Sequence, residues 1–174
     1  MPENVASYSM RGMNDEELVL KCFRPLLADY KEVSAANGDV SRFFRRLTSN
    51  QQALFISYSY LVHVLESAVE TYWWSAYFMA QGRWESLRAK TIALGAPAFD
   101  ALLSDIETEL GRRGHPKSLT EIHAVQREDL DGDDALRKFF ADAYERLTAV
   151  AADNLIARLA KVIRQSPDDF RMQR

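Results

Sequence analysis

The 174-residue chain contains a single cysteine, Cys22, so it cannot form an intramolecular disulfide. That suits a reducing compartment. Cys22 sits in the amphipathic run LVLKCFRPLL, where a thiol reads as a small core hydrophobe rather than a nucleophile. Glycine and proline are scarce, at seven and five residues, which excludes a loop-rich or low-complexity chain. Charge of one sign is also scarce. A net charge of −3 excludes a globally basic nucleic-acid binder and is too mild for a polyanion, so no direct nucleic-acid contact is expected. Long hydrophobic runs are missing too. The stretch from Thr48 to Leu65 carries no Asp, Glu, Lys or Arg, yet it holds Asn50, Gln51, Gln52, three serines and His63. A bilayer-spanning helix needs about 20 mostly apolar residues, so no membrane span is expected. The opening MPENVASYSMRGMNDEE has no apolar core of signal-peptide length, and the expected location is the cytoplasm. The signatures GxSxG, Walker A, GxGxxG and HExxH are absent, as is any cysteine cluster. No catalytic residue, no metal ligand and no cofactor is therefore assigned.

What is present is helical periodicity. Residues 1–13 read as an N-terminal arm, 14–166 as one all-α domain and 167–174 as a C-terminal tail. Asn14 is a suitable N-cap, followed by Asp15, Glu16 and Glu17 where the helix dipole favours acids. Leu18, Leu20, Phe23, Leu26, Leu27 and Tyr30 recur at helical spacing, and Pro25 predicts a kink or two short helices near residue 24. Asn37-Gly38 marks a turn, and Asp39 or Ser41 starts a short helix with Phe43, Phe44 and Leu47. From Asn50 to about Ala80 there is no Gly or Pro. Leu54, Tyr58, Leu61, Leu65, Ala68 and Tyr72 form one stripe, and Phe55, Val62, Val69 and Trp73 form a second. Apolar residues on more than one face predict a long buried central helix over about 50–80. Gly82 ends it. Gly95 and Pro97 form a stop-and-restart signal between two further helices. Residues 111–133 are polar and irregular, with a short turn around 119–125. Asp133 or Asp134 caps a final unit whose seam breaks at Asp153-Asn154, giving one bent helix or two. The expectation is a helical bundle of six to eight helices.

Two constellations stand out. His63, Glu66 and Glu70 are three and four residues apart and share one helix face, on which Trp74 and Tyr77 follow. This set is the candidate face for a partner or ligand. With Trp73 it could instead line the pocket of a small-ligand-binding protein or metal-dependent enzyme. The di-metal bundles use Glu-x-x-His, whereas His63-x-x-Glu66 runs in the reverse order. The second constellation is Glu128, Asp129, Asp131, Asp133 and Asp134, a candidate acidic contact surface. It departs from a calcium loop, with Gly132 at the fourth position and Phe140 at the twelfth. Arg42, Arg45 and Arg46, with Arg112 and Arg113, read as surface arginines or partners for acids.

Three stretches, VETYWWSAYFMAQG, LRAKTIALGAPAFDALLSDI and FFADAYERL…DNLIARLAKVIRQSPDDF, cover roughly Leu54 to Phe170. In order, they resemble a bacterial domain family that includes a DNA-mimic protein. Glu70, Thr71, Tyr72 and Trp73 stand where that family has Asn-Asn-Gly-Gly, so no functional residue is carried over. The resemblance implies an all-helical fold and a non-enzymatic interaction role. Mimicry of DNA itself would need denser negative charge than −3. Two expectations follow. The leading one is a small cytoplasmic protein that binds another protein, whether as an inhibitor, an adaptor, an immunity-type protein or a homodimer. The rival is the pocket protein.

Overall fold

The structure is a computed structural model that describes residues 12–115 and 122–170. Most of the expected arm, residues 116–121 of the polar region and residues 171–174 of the tail lie outside the described residues. The fold is all-α: every regular element among the described residues is helical. The helices are α1 (Asp15–Ala35), α2 (Val40–Arg46), α3 (Ser49–Val64), α4 (Ala68–Ala80), α5 (Trp84–Leu94), α6 (Pro97–Arg112), α7 (Asp134–Arg146) and α8 (Ala152–Gln165). A single turn, Asp129–Gly132, precedes α7. Among the described residues, no helix is long and apolar enough to cross a membrane. The described residues divide into two compact units, one built from those up to 55 and from 156 on, and the other from those between 56 and 155.

In the first unit α1 starts on a capping box. The Asn14 side chain accepts from the Glu17 amide, and Glu17 reaches back to the Asn14 amide. These are two of the donors that a helix start leaves unpaired. α1 then runs unbroken through Pro25 instead of splitting there. Proline removes one hydrogen bond of the ladder, but the buried face of Leu18, Val19, Cys22, Phe23 and Leu26 spans the site and holds the helix together. Burial pushes the Cys22 thiol up to about 11, so it stays protonated and unreactive at neutral pH. Asn37 adopts the left-handed conformation, with φ of 51°, and Asp39 caps α2 by accepting from the Arg42 amide. Phe43 and Phe44 meet Tyr30 and Phe55 at ring distances of 5.4–6.3 Å. The first four residues of the expected tail are docked. Pro167–Phe170 forms a short 3₁₀ turn with Phe170 buried. Asn50 donates to the Asp169 carboxylate at 2.7 Å, and Gln51 donates to its carbonyl at 2.6 Å.

In the second unit the helix expected over 50–80 is two helices. α3 stops at Val64, and α4 starts after Ser67, whose backbone is extended with φ of −168° and ψ of 170°. The break is built from local polar chemistry. The Ser67 hydroxyl accepts from the Glu70 amide at 3.1 Å. The buried Thr71 hydroxyl binds the carbonyls of Val64 and Ser67, both at 2.9 Å. Tyr144 of α7 donates to the Leu65 carbonyl at 3.0 Å. Several of the groups that the two helix ends leave unpaired are thereby satisfied. The bend changes the phase of the apolar stripes. Leu61, Val64 and Tyr72 are fully buried, but Val62 is 42% exposed and Val69 and Trp73 are only half-buried.

α4 packs on α7, and α5 on α6. Gly95 closes α5 in the left-handed conformation, with φ of 67°. Pro97 begins α6 where its missing N–H costs nothing. The core joins Tyr60, Phe78, Trp84 and Phe99 by edge-on ring contacts of 5.1–6.2 Å. Asp133 caps α7 by accepting from the Leu136 amide at 2.9 Å. The seam does not break at Asp153-Asn154. The irregularity comes earlier, as a π-helical stretch over Leu147–Ala151 that runs directly into α8. Buried Leu147, Ala151 and Leu155 are spaced by fours. A normal α-helix drifts off a four-residue repeat, and the wider π turn keeps these residues on one side.

Candidate functional site

The last turn of α3 and the first three turns of α4 set an aromatic array on the surface of the second unit. The His63 ring lies flat on Trp74, with centroids 3.6 Å apart and planes within 11°. Trp73 stacks on Tyr77 at 5.0 Å, as positions four apart on a helix allow. Trp73 and Trp74 meet edge-on at 5.1 Å, and Trp74 and Tyr77 do so at 5.4 Å. All four side chains are half-buried.

Arg127, from the turn that precedes Asp129–Gly132, completes the array. Its guanidinium lies 4.3 Å from the centre of the Trp73 ring, a cation–π contact. It also forks onto Glu70: Nε donates to Oε1, and Nη2 donates to Oε2 at 2.9 Å. A planar fork on a carboxylate fixes both partners in orientation. Hydrogen bonding from Arg127 holds the Glu70 carboxyl below its usual range, against the opposing effect of burial. The Arg127 charge, the Trp74 indole and His63 lower it further. Burial keeps the His63 imidazole below its ordinary value, although Glu70 and Glu66 pull it the other way.

The sequence-predicted face is therefore largely assembled. His63, Glu70, Trp74 and Tyr77 come together, while Glu66 stands exposed at the helix break. Glu70 faces the Arg127 guanidinium. Among the described residues, no three His, Cys, Asp or Glu side chains converge as metal ligands. A cleft of about 320 Å³ opens in the same unit, between the α4–α5 turn and the end of α6. None of His63, Glu66, Glu70, Trp73 or Tyr77 lines it.

The acids of 128–134 are divided between structure and surface. Asp129 accepts from the buried Tyr72 hydroxyl at 2.6 Å and from the Gln126 amide at 3.0 Å. Burial and the Asp129 hydrogen bond together push the Tyr72 phenol well above its ordinary value. Asp133 caps α7 and pairs with Arg113, which also holds Glu109. Asp134 pairs with Arg137 three residues on. Glu128 and Asp131 are exposed.

The residue that pattern reading misses is Arg127. It looks like one base in an acidic loop, and only the fold brings it onto Glu70 and Trp73. The helix break, by contrast, has a signal. Ser67-Ala-Val-Glu70 has the S-x-x-E spacing of a capping box, although Glu70 spends its carboxylate on Arg127.

Scans against protein-family models, curated proteins and solved structures each find no match.

Proposed function

We propose that this chain is a non-enzymatic protein-binding module of the inhibitor, adaptor or immunity type, acting in the cytoplasm. Its binding face is the array of His63, Trp73, Trp74 and Tyr77 with Arg127. One observation carries this reading: half-exposed Trp, Tyr and Arg side chains are already locked in stacks and a bidentate pair. These residue types dominate binding energy at interfaces. Side chains ordered beforehand lose little freedom when a partner arrives. Glu66, Glu70 and Glu128 all act on the single cation Arg127, so the surroundings favour positive charge. The partner that fits presents a basic patch whose Lys or Arg side chains lie on the Trp74 and Tyr77 rings. The family resemblance implies the same non-enzymatic role. No direct nucleic-acid or membrane contact is part of this reading.

The test is site-specific photocrosslinking in the native cells from position 77, with position 150 as control. Val150 is 58% exposed in the same unit. The expected result is one protein captured from position 77, not from 150, and lost when Trp74→Ala is added. The crosslinked peptide should contain Lys or Arg. If the captured protein is this chain, the module is a homodimer built on the same face. Equal capture from position 150, or capture indifferent to Trp74→Ala, refutes the assignment.

A further inference from the structure

Taking the face above as the binding surface, we propose that Glu70 and Trp73 form a receptor for an arginine of the partner protein, and that Arg127 fills it from within until that arginine takes its place. The receptor half lies on α4 alone. Glu70 offers both carboxylate oxygens to one guanidinium, and the centre of the Trp73 ring lies 4.3 Å from the same group. A carboxylate fork beside an aromatic ring suits a guanidinium, whereas an ammonium group cannot make two parallel bonds. Neighbours other than Arg127 fix both receptor groups. Tyr77 stacks on Trp73 at 5.0 Å. The Trp74 indole acts on Glu70 and is itself held flat against His63 at 3.6 Å.

The occupant is held less firmly than the receptor. The Arg127 side chain is 43% exposed and that of Glu70 only 15%. Glu70 is the only hydrogen-bond partner of Arg127 among the described residues. Gln126 and Glu128 on either side are exposed. The segment is anchored by buried Val125 and Leu130 and by Asp129 on Tyr72, and none of these contacts uses Arg127. The arginine can therefore turn out to solvent while the backbone stays in place. Glu66 and Glu128, which already act on Arg127, still offset its charge there. An emptied site would leave the Glu70 carboxylate shielded from water without its counter-charge, which is costly. A second guanidinium restores both contacts, so the site works by exchange and selects arginine over lysine. Attraction to an acidic surface alone would not make that distinction.

The probe is acetyl-arginine N-methylamide, with acetyl-lysine N-methylamide of equal charge as counter-probe. Binding is read from the ¹⁵N–¹H indole signal of Trp73, assigned with Trp73→Phe. In Arg127→Ala the arginine probe should shift this signal saturably, with half-saturation below about 30 mM, as one forked charged bond and one ring contact predict. The lysine probe, one hydrogen bond poorer, should bind about 3- to 10-fold more weakly. In the parent chain Arg127 leaves the site open about a tenth of the time or less, so the arginine probe should bind at least about 10-fold more weakly. Glu70→Gln added to Arg127→Ala should remove the preference for arginine. Arg127→Gln repeats the measurement and covers a failure of Arg127→Ala to fold. The exchange is overturned by equal binding of the two probes, by equal binding of the arginine probe to parent and variant, or by no saturable shift in the folded variants up to about 100 mM. These outcomes need no partner, so they stand or fall apart from the crosslinking at position 77. In that crosslinking, the captured peptide should contain arginine and Arg127→Ala should raise the yield. A yield that falls in Arg127→Ala overturns the exchange and leaves the binding face in place.

Discussion

Replacing Tyr72 by Phe isolates one interaction. The ring is fully buried and keeps its edge contacts with His115 and Phe140 at 5.5 and 5.2 Å. Only the hydroxyl that donates to Asp129 is lost. A hydrogen bond to a charged group is worth about 1.5–3 kcal/mol. Asp129 keeps the Gln126 amide and is half-exposed, so water replaces part of the loss. The expected cost is therefore near the lower bound, about 1.5 kcal/mol. For a chain of this size that lowers Tm by about 3–6 °C. Urea unfolding at neutral pH should show a lower midpoint with an unchanged slope. Asp129→Asn and the double variant complete the cycle, and the coupling energy should be about 1 kcal/mol or more. A loss below about 0.5 kcal/mol, or additivity within about 0.5 kcal/mol, would refute the claim that this bond fastens the 126–130 segment to α4.

Two further outcomes follow from the backbone and the charges. Gly95→Ala meets no clash, because no heavy atom lies within 4 Å of the new Cβ. The left-handed φ of 67° should cost about 1–2 kcal/mol, offset by up to about 1 kcal/mol from a stiffer unfolded chain. Thermal melts should show Tm lower by about 2–4 °C, and an unchanged melt would contradict the strain argument. Acid should destabilise the chain in two stages. His63 and His115 are held below the ordinary imidazole value of 6.5, so under that pH the unfolded chain binds protons that the folded one refuses. Their contribution is complete above about pH 6.5 and declines as pH falls. Glu70 and Glu109, held below the ordinary 4.5, add a second decline under that value. A melt series from about pH 8 to pH 4 that shows no fall in Tm below 6.5 would contradict the histidine assignment.

Helix positions were legible in the sequence wherever a local rule governs them. Asn14, Asp39, Asp133, Gly95 and Pro97 each act where capping and stop signals place them. The fold departs from the sequence pattern where a tertiary term wins. Pro25 does not split α1, because burial on both sides of it outweighs one missing bond. The break at 65–67 carries no Gly or Pro, because Ser67 and Thr71 supply its local hydrogen bonds, and its one sequence signal is the S-x-x-E spacing of Ser67 and Glu70. Most of the candidate face is local and was readable from spacing, namely His63, Glu70, Trp74 and Tyr77. Arg127 was not readable, because no periodicity relates it to a residue 57 positions away.

The two clamps onto α4 share one geometry. Glu70 with Arg127, and Tyr72 with Asp129, each join residues 57 apart. The entropy of closing that loop falls on whichever clamp forms first, and the second adds its energy almost without further loss. The pair is therefore expected to open together, as a single latch, in hydrogen exchange of the 126–130 amides. Lifting the 126–130 segment would uncover the Trp73 ring and the Tyr72 hydroxyl together. The area that the aromatic face offers is thus set by the docking of one chain segment, in two discrete amounts, and not by the independent rotation of its rings.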